Sequence, residues 1–354
     1  MSEKDKQVNQ EPYPTRFANN SDLQVKSLFR SEVWDKLDLD AKKDALQELA
    51  NRDAREMGVE PREVALERMP EMGRYDGQNR IVLNLDMVRD GKIVDEVVDA
   101  NGVKHIEEME IPASNWQAMT TVYHENTHNR QYHDMIKEDF ENKEDEEHSN
   151  RLLENDESYI NQGPLYRVQI SEKEAFEREQ EKTLRDMDML DRVWGKDRES
   201  DTYRKDAEET SNDKAIEAAK QRFGDPNIEK TLEGVFKDRF YGTNNTINTP
   251  EGARVNAEIN RVQLANAYSP KNNTLSNEAN NEKTGTALNT APDITGRGEN
   301  TGAQAEDSVH SNASEAPGQA AGGQTGMSDN GNGSENGNEN GNDDGGQSND
   351  DMEM

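Results

Sequence analysis

His124, Glu125 and His128 stand in the order His-Glu-x-x-His, within Tyr123-His124-Glu125-Asn126-Thr127-His128-Asn129-Arg130-Gln131. On a helix, residues four apart share a face, because four steps of about 100° come nearly full circle. Two imidazoles placed so can aim ring nitrogens at one metal ion, and the ion this spacing suits is Zn2+. Glu125, one step round the helix, lies beside that ion and can take a proton from its bound water. The chain has six histidines, and His124, His128 and His133 fall close together. The alternative is a solvated polar helix that carries the spacing by coincidence.

Two histidines do not complete a catalytic zinc site. A third protein ligand is needed, with the fourth position left to water. The chain contains no cysteine, so that ligand must be His, Asp or Glu. One route continues the same segment. Asp134 stands where a His-x-x-Gly-x-x-His extension would place its last ligand, but that turn needs glycine at 131, where Gln131 stands. On an unbroken helix Asp134 points about 100° away from the two histidines, and His133 about 160°. The other route is a glutamate from a separate helix. Tyr166-Arg167-Val168-Gln169-Ile170-Ser171-Glu172-Lys173-Glu174-Ala175-Phe176 offers Glu172, far enough along for the chain to turn back antiparallel. Ala175, one turn on, permits close helix approach. Glu174 and Glu179 are rivals.

Several elements must position these groups. Helices are expected over about 31–58, with Trp34 a core anchor, and Gly58 suits the stop. Val64 to Glu67 reads as a short strand, Gly73 to Asn79 as a turn, and Arg80 to Leu85 as a strand rich in branched aliphatics. Asp90-Gly91 and Asn101-Gly102 are hairpin dipeptides, so 92–98 and 103–111 read as arms of a projecting ribbon. Pro112 and Ser114 announce the central helix, with Ser114 as N-cap, running to about Met135. Trp116, Met119, Tyr123 and Thr127 share one of its faces. The acidic run Glu138 to Glu147 reads as a solvated linker. Further helices are expected over 169–195, 203–223, 227–241 and from Pro250 to just before Pro270.

Composition bounds the rest. Of 354 residues, 30% are hydrophobic and 33% charged, so a large part of the chain cannot bury enough apolar surface to offset ordering entropy. Mean hydropathy is -1.18 and no apolar run approaches a transmembrane length. The net charge of -32 makes nucleic acid and anionic membrane poor partners. The first residues lack the apolar stretch of a secretory signal, which leaves localisation open between the cytoplasm and a signal-independent export route. Residues 269–354 are rich in Asn, Gly, Ser and Asp, carry 15 acids against 3 bases, and read as disordered; His310 lies there without an evident role.

Four pieces of the chain resemble the zincin-type metallopeptidase domains attached to bacterial polymorphic toxins and mobile-element proteins. They are Trp34-Asp35-Lys36-Leu37 with Leu46-Gln47-Glu48-Leu49; Gly73-Arg74-Tyr75 followed by Asn79-Arg80-Ile81-Val82-Leu83-Asn84; His124-Glu125-x-x-His128-x-x-Gln131; and Gln169-Ile170-Ser171-Glu172-Lys173-Glu174-Ala175. The last is similar to the family's Q-P-x-E-x-D-A. By this resemblance Glu172 is the third metal ligand, Glu174 takes the place of an Asp that buttresses a histidine, and a cognate inhibitor or immunity protein is an implied partner.

The expected fold is α+β: a zincin-like domain over 26–196 with a small sheet and the His-Glu-x-x-His helix, after a flexible segment 1–25. A helical extension 197–268 and the acidic tail 269–354 follow. The expected function is zinc-dependent endopeptidase action on a protein or peptide substrate. Glu125 serves as general base, His124, His128 and Glu172 as ligands, and Tyr166 as a candidate oxyanion donor. The strand near 80–85 is a candidate to pair with an extended substrate, and Gln131 to hold a ligand in place. The competing expectation is a non-catalytic acidic scaffold or accessory protein with a structural or degenerate zinc site.

Overall fold

The computed structural model describes residues 12–76, 80–98 and 104–267. Among them the chain is mixed α+β and mostly helical. The first half runs α1 (Asp22–Ser27), α2 (Ser31–Trp34), α3 (Leu39–Glu56), β1 (Glu63–Glu67), β2 (Gly73–Tyr75), β3 (Arg80–Asn84), α4 (Leu85–Asp90), β4 (Lys92–Val98) and β5 (Lys104–Glu110). Then come α5 (Ser114–Ile136), α6 (Lys143–Glu157), α7 (Ile170–Trp194), α8 (Ser200–Glu209), α9 (Asn212–Phe223), α10 (Ile228–Tyr241) and α11 (Pro250–Ala267). Asn101-Gly102, residues 77–79 of the expected turn and the tail 269–354 lie outside the described residues.

Three strands form one sheet in the order β1-β3-β2. β1 runs parallel to β3, pairing Val64 with Ile81, and β2 runs antiparallel, pairing Arg74 with Val82. Ile81, Val82 and Leu83 are fully buried, as a central strand covered on both faces requires. The strand proposed to pair with substrate therefore has both edges occupied, and among the described residues the free edge beside α5 belongs to β2. Asn84 ends β3 and does three jobs. Its Oδ1 caps α4 at the Met87 amide (3.0 Å), its Nδ2 donates to the Met69 and Glu71 carbonyls, and its own amide donates to Met72 O (2.8 Å). It thereby fixes the loop that feeds β2.

Around α5 one core gathers α3, the sheet, the α7 residues Met187 and Leu190, and the α8 residues Tyr203 and Ala207; Trp34 and Trp116 are buried in it. A second core joins Ile160, Leu165 and Val168 to α9, α10 and α11. The boundary expected at 196/197 thus does not match the packing. α8 belongs with the first core, and the segment between α6 and α7 contributes to the second.

Several local expectations are corrected. Residues 12–25 of the supposed flexible lead lie on α3: Thr15 donates to Glu48 (2.6 Å), Asn51 donates to Tyr13 O (2.9 Å), and Val25 is buried. Asp90-Gly91 is not a hairpin turn. Gly91, at φ 73°, closes α4 in the left-handed conformation that glycine adopts without steric cost. Ser114 is the first helical residue of α5, and the cap position falls on Ala113 at φ 51°. The acidic run is not all linker, since Lys143 to Glu147 open α6. Asn142 caps it at the Asp145 amide (3.0 Å), and acids suit the positive end of a helix dipole. Residues 203–223 form parts of two helices, α8 and α9, rather than one.

Candidate metal centre

α5 is buried nearly all round, polar residues included, because α3, α7, the sheet and α6 enclose it. Polar groups so enclosed need partners. Asp53 of α3, 2% exposed, supplies several. It receives Asn126 Nδ2 of α5 (3.1 Å), Arg178 Nη2 of α7 (2.6 Å) and Lys182 Nζ of α7 (3.0 Å). Arg178 Nη1 also donates to Tyr123 O (3.2 Å) and Thr127 Oγ1 (3.3 Å). Tyr123 Oη donates to Asp186 of α7 (2.6 Å). These contacts fix α7 against the turn of α5 that bears His124 and His128.

That clamp brings three sequence-predicted groups together. His124 Nε2 lies 3.1 Å from His128 Nε2 and 3.3 Å from Glu172 Oε2; His128 Nε2 lies 3.3 Å from Glu172 Oε1. Tetrahedral Zn2+ with bonds of about 2.0 Å spaces its donors about 3.3 Å apart, so this triangle fits one face of such a coordination shell. Glu172 is fully buried and its Oε2 has no hydrogen-bond donor. A buried carboxylate oxygen left so asks for a cation. Among the described residues this is the one group of three or more His, Asp or Glu whose donor atoms converge in this way.

The outer nitrogens face acceptors. Gln131 Nε2 donates to Ser171 O (2.9 Å) and Glu174 Oε2 (3.1 Å), so its Oε1 must accept from His128 Nδ1–H (2.9 Å). His124 Nδ1 lies 2.9 Å from Glu179 Oε2, off line for a straight hydrogen bond but facing a group that can only accept. Both histidines therefore turn Nδ1 toward an acceptor, which leaves Nε2 as the nitrogen a metal ion at the shared point would take. Phe176 packs on the His124 ring at 4.6 Å between centroids.

Charge agrees with this arrangement. Burial lowers the His124 pKa, but the carboxylates of Glu179 and Glu172 outweigh it and raise the value well above the ordinary one. For His128, burial is again outweighed, here by Glu172. Burial raises Glu172, yet the two imidazoles hold it well below the usual carboxylate range. The surroundings thus favour positive charge at the point where the three donors meet.

Glu125, 4% exposed, lines the same cleft, which has a volume of about 680 Å³. Burial raises its pKa, against the pull of His124 and His128. Gly73 and Tyr75 of β2 form one wall, Tyr132 and Met135 of α5 another, and Tyr159 and Tyr166 line it beside Glu172. Tyr159 Oη donates to Glu172 Oε1 (2.6 Å). Burial pushes both tyrosines far above the ordinary phenol value, with Glu172 adding to the effect.

The rivals fall elsewhere. Asp134 pairs with Arg130 (2.8 Å) and Lys137 (3.5 Å), and the His133 side chain is 49% exposed. Glu179 is the partner of His124 rather than a third ligand. Glu174 does not buttress a ligand histidine directly; it reaches His128 only through Gln131, and its other oxygen meets His148 (2.8 Å). Sequence reasoning missed Glu179 in this role, although it lies two helical turns beyond Glu172 and so shares its face. Tyr159 and Asp53 carry no comparable local signal. No family model, curated protein or solved structure matches the chain.

Proposed function

We propose that the chain is a zinc-dependent endopeptidase of the zincin kind. One observation carries this reading: acceptors of buried His124 and Glu172 and half-buried His128 lie within 3.3 Å of one another, with Glu125 alongside and an open cleft above. His124, His128 and Glu172 would hold the metal, which when bound supplies an activated water and polarises the substrate carbonyl. An open position beside three protein ligands belongs to catalytic sites, whereas structural zinc sites are closed, and this favours the enzyme over an accessory protein with a structural metal.

The chain's own residues supply the remaining roles. Glu125, its proton affinity raised by burial, accepts the proton of the attacking water and returns it to the leaving amine. Tyr166 brings a hydroxyl to the cleft, suited to negative charge developing on the carbonyl oxygen, whereas the Tyr159 proton is committed to Glu172. β2 offers a free edge. Met72 O and Asp76 N–H bond to Asn84 and Arg80 of β3, so by the alternation of an antiparallel ladder the backbone groups of Gly73 and Tyr75 face outward. An extended peptide can add there as a strand. A protein or peptide is therefore the proposed substrate, and the toxin-domain resemblance adds a cognate inhibitor as a proposed partner.

Glu125→Gln tests the reading. It should retain stoichiometric zinc by metal analysis while cleavage of an unfolded protein substrate falls at least about 100-fold. Cleavage at the wild-type rate in that variant would defeat the proposal.

A further inference from the structure

The segment between α6 and α7 has two faces. Ile160, Leu165 and Val168 turn into the core shared with α9, α10 and α11, while Tyr159 and Tyr166 turn into the cleft. Two buried amides fasten it. Gln169, 0% exposed, immediately precedes α7, but its side chain does not cap that helix. Its Oε1 accepts from the Ile160 amide (3.1 Å) and its Nε2 donates to the Ile160 carbonyl, satisfying both backbone groups as a neighbouring strand would. The same Oε1 accepts from Asn155 Nδ2 (3.0 Å). Asn155, also 0% exposed, then accepts at Oδ1 from the Ser171 amide (3.0 Å) and hydroxyl (2.9 Å). One pair of side chains thus holds the residue after Tyr159 and the residue before Glu172.

We infer that Gln169 and Asn155 are positioning residues whose task is to set the Tyr159 hydroxyl against Glu172. The inference rests on the metal-site reading above. Each amide bonds to backbone within one residue of a cleft group, and the three bonds of Gln169 are buried, where a misplaced donor or acceptor is costly. The second core backs the arrangement. Arg239 of α10 donates to Ser158 Oγ (2.9 Å) at the start of the segment and to Asn256 (2.8 Å) and Gln263 (2.7 Å) of α11. α9, α10 and α11 therefore serve as the bed on which the tyrosine segment lies.

The test is a double-mutant cycle of Gln169→Met, which keeps length and removes the amide, with Tyr159→Phe, read by zinc affinity in chelator competition. Each single change should weaken binding about 10-fold, the lower end of what loss of a ligand's partner costs, and the double change no further. Additive losses, or wild-type affinity in Gln169→Met, would overturn the inference. Hydrogen exchange of the metal-free protein supplies the second arm. Gln169→Met should speed exchange across residues 158–168 while α5 and α3 keep their protection. Unchanged exchange there overturns the inference whether or not metal binds. If the wild type binds zinc without cleaving any substrate, the peptidase reading fails and the cycle still decides the positioning role.

Discussion

Gln131 Oε1 lies 2.9 Å from His128 Nδ1, and the far end of the same amide is held by the Ser171 carbonyl and Glu174. A glutamine three residues along the helix thus ties a ligand histidine on α5 to the start of α7, where Glu172 sits. Removing the amide frees the His128 ring to rotate and to change tautomer. Gln131→Leu should lower zinc affinity by about 10- to 100-fold, as loss of a ligand's outer partner generally does, with far-ultraviolet circular dichroism unchanged. Affinity equal to wild type in chelator competition would show that the contact does no work at the metal.

Asp53 faces two cations and an amide with a carboxylate that is almost wholly buried. Asp53→Ala leaves Lys182, 5% exposed, with Glu56 as its remaining acid partner. Breaking a buried pair on one side costs about 3–5 kcal/mol, and Arg178 is partly exposed, so the lower figure applies. Urea unfolding monitored by tryptophan fluorescence should show a loss of about 3 kcal/mol.

Gly73 has no room for a side chain. A Cβ there would clash with Thr121 Cγ2 of α5, and would meet Leu83 Cδ2 and Val82 O at 3.1 Å. Gly73→Ala should therefore lift β2 away from α5 and destabilise by about 1–3 kcal/mol. Thr121→Ser removes the offending methyl yet keeps the hydroxyl bonded to Gln117 O, so the double variant should recover part of the loss. Equal stability of Gly73→Ala with and without Thr121→Ser would place the strain elsewhere.

His148 and Glu174 make stability depend on pH. The hydrogen bond that His148 donates to Glu174 raises the His148 pKa above its ordinary value, against the lowering effect of partial burial. A value raised on folding means that the protonated pair stabilises fully below about pH 6.5 and that the contribution fades as pH climbs through the raised folded value. The stability gap between wild type and His148→Asn should be widest near pH 5.5–6 and shrink in alkaline buffer, by chemical unfolding at several pH values. A gap that grows with pH would reverse the assignment.

Periodicity made most of the helices legible, along with β1 and β3, because each buries residues whose types repeat at the expected interval; the ribbon, whose β5 arm is exposed throughout, was legible from turn chemistry instead. α4 was hidden, since its short span sits where Asp90-Gly91 imitates a hairpin. The start of α6 was hidden because its first turn is charged, and charge near a capped helix start looks the same as a solvated linker. At the site, His124, Glu125 and His128 are readable from one helix. Glu172 needed the resemblance to be chosen over Glu174 and Glu179, and only the packing of α7 on α5 separates their roles. Tyr159 was unreadable beside Tyr166, because its place depends on amides that bond across the segment between α6 and α7.

His128 and Glu172 sit on helices separated along the chain by α6 and the tyrosine segment. A chain with no cysteine has no disulfide to tie such distant stretches together. A cation gripped from both sides would act as a removable rivet, closing a long loop and subtracting its freedom from the unfolded ensemble. Heat tolerance would then follow the supply of metal, and a chelator would make the molecule an easier meal for proteases.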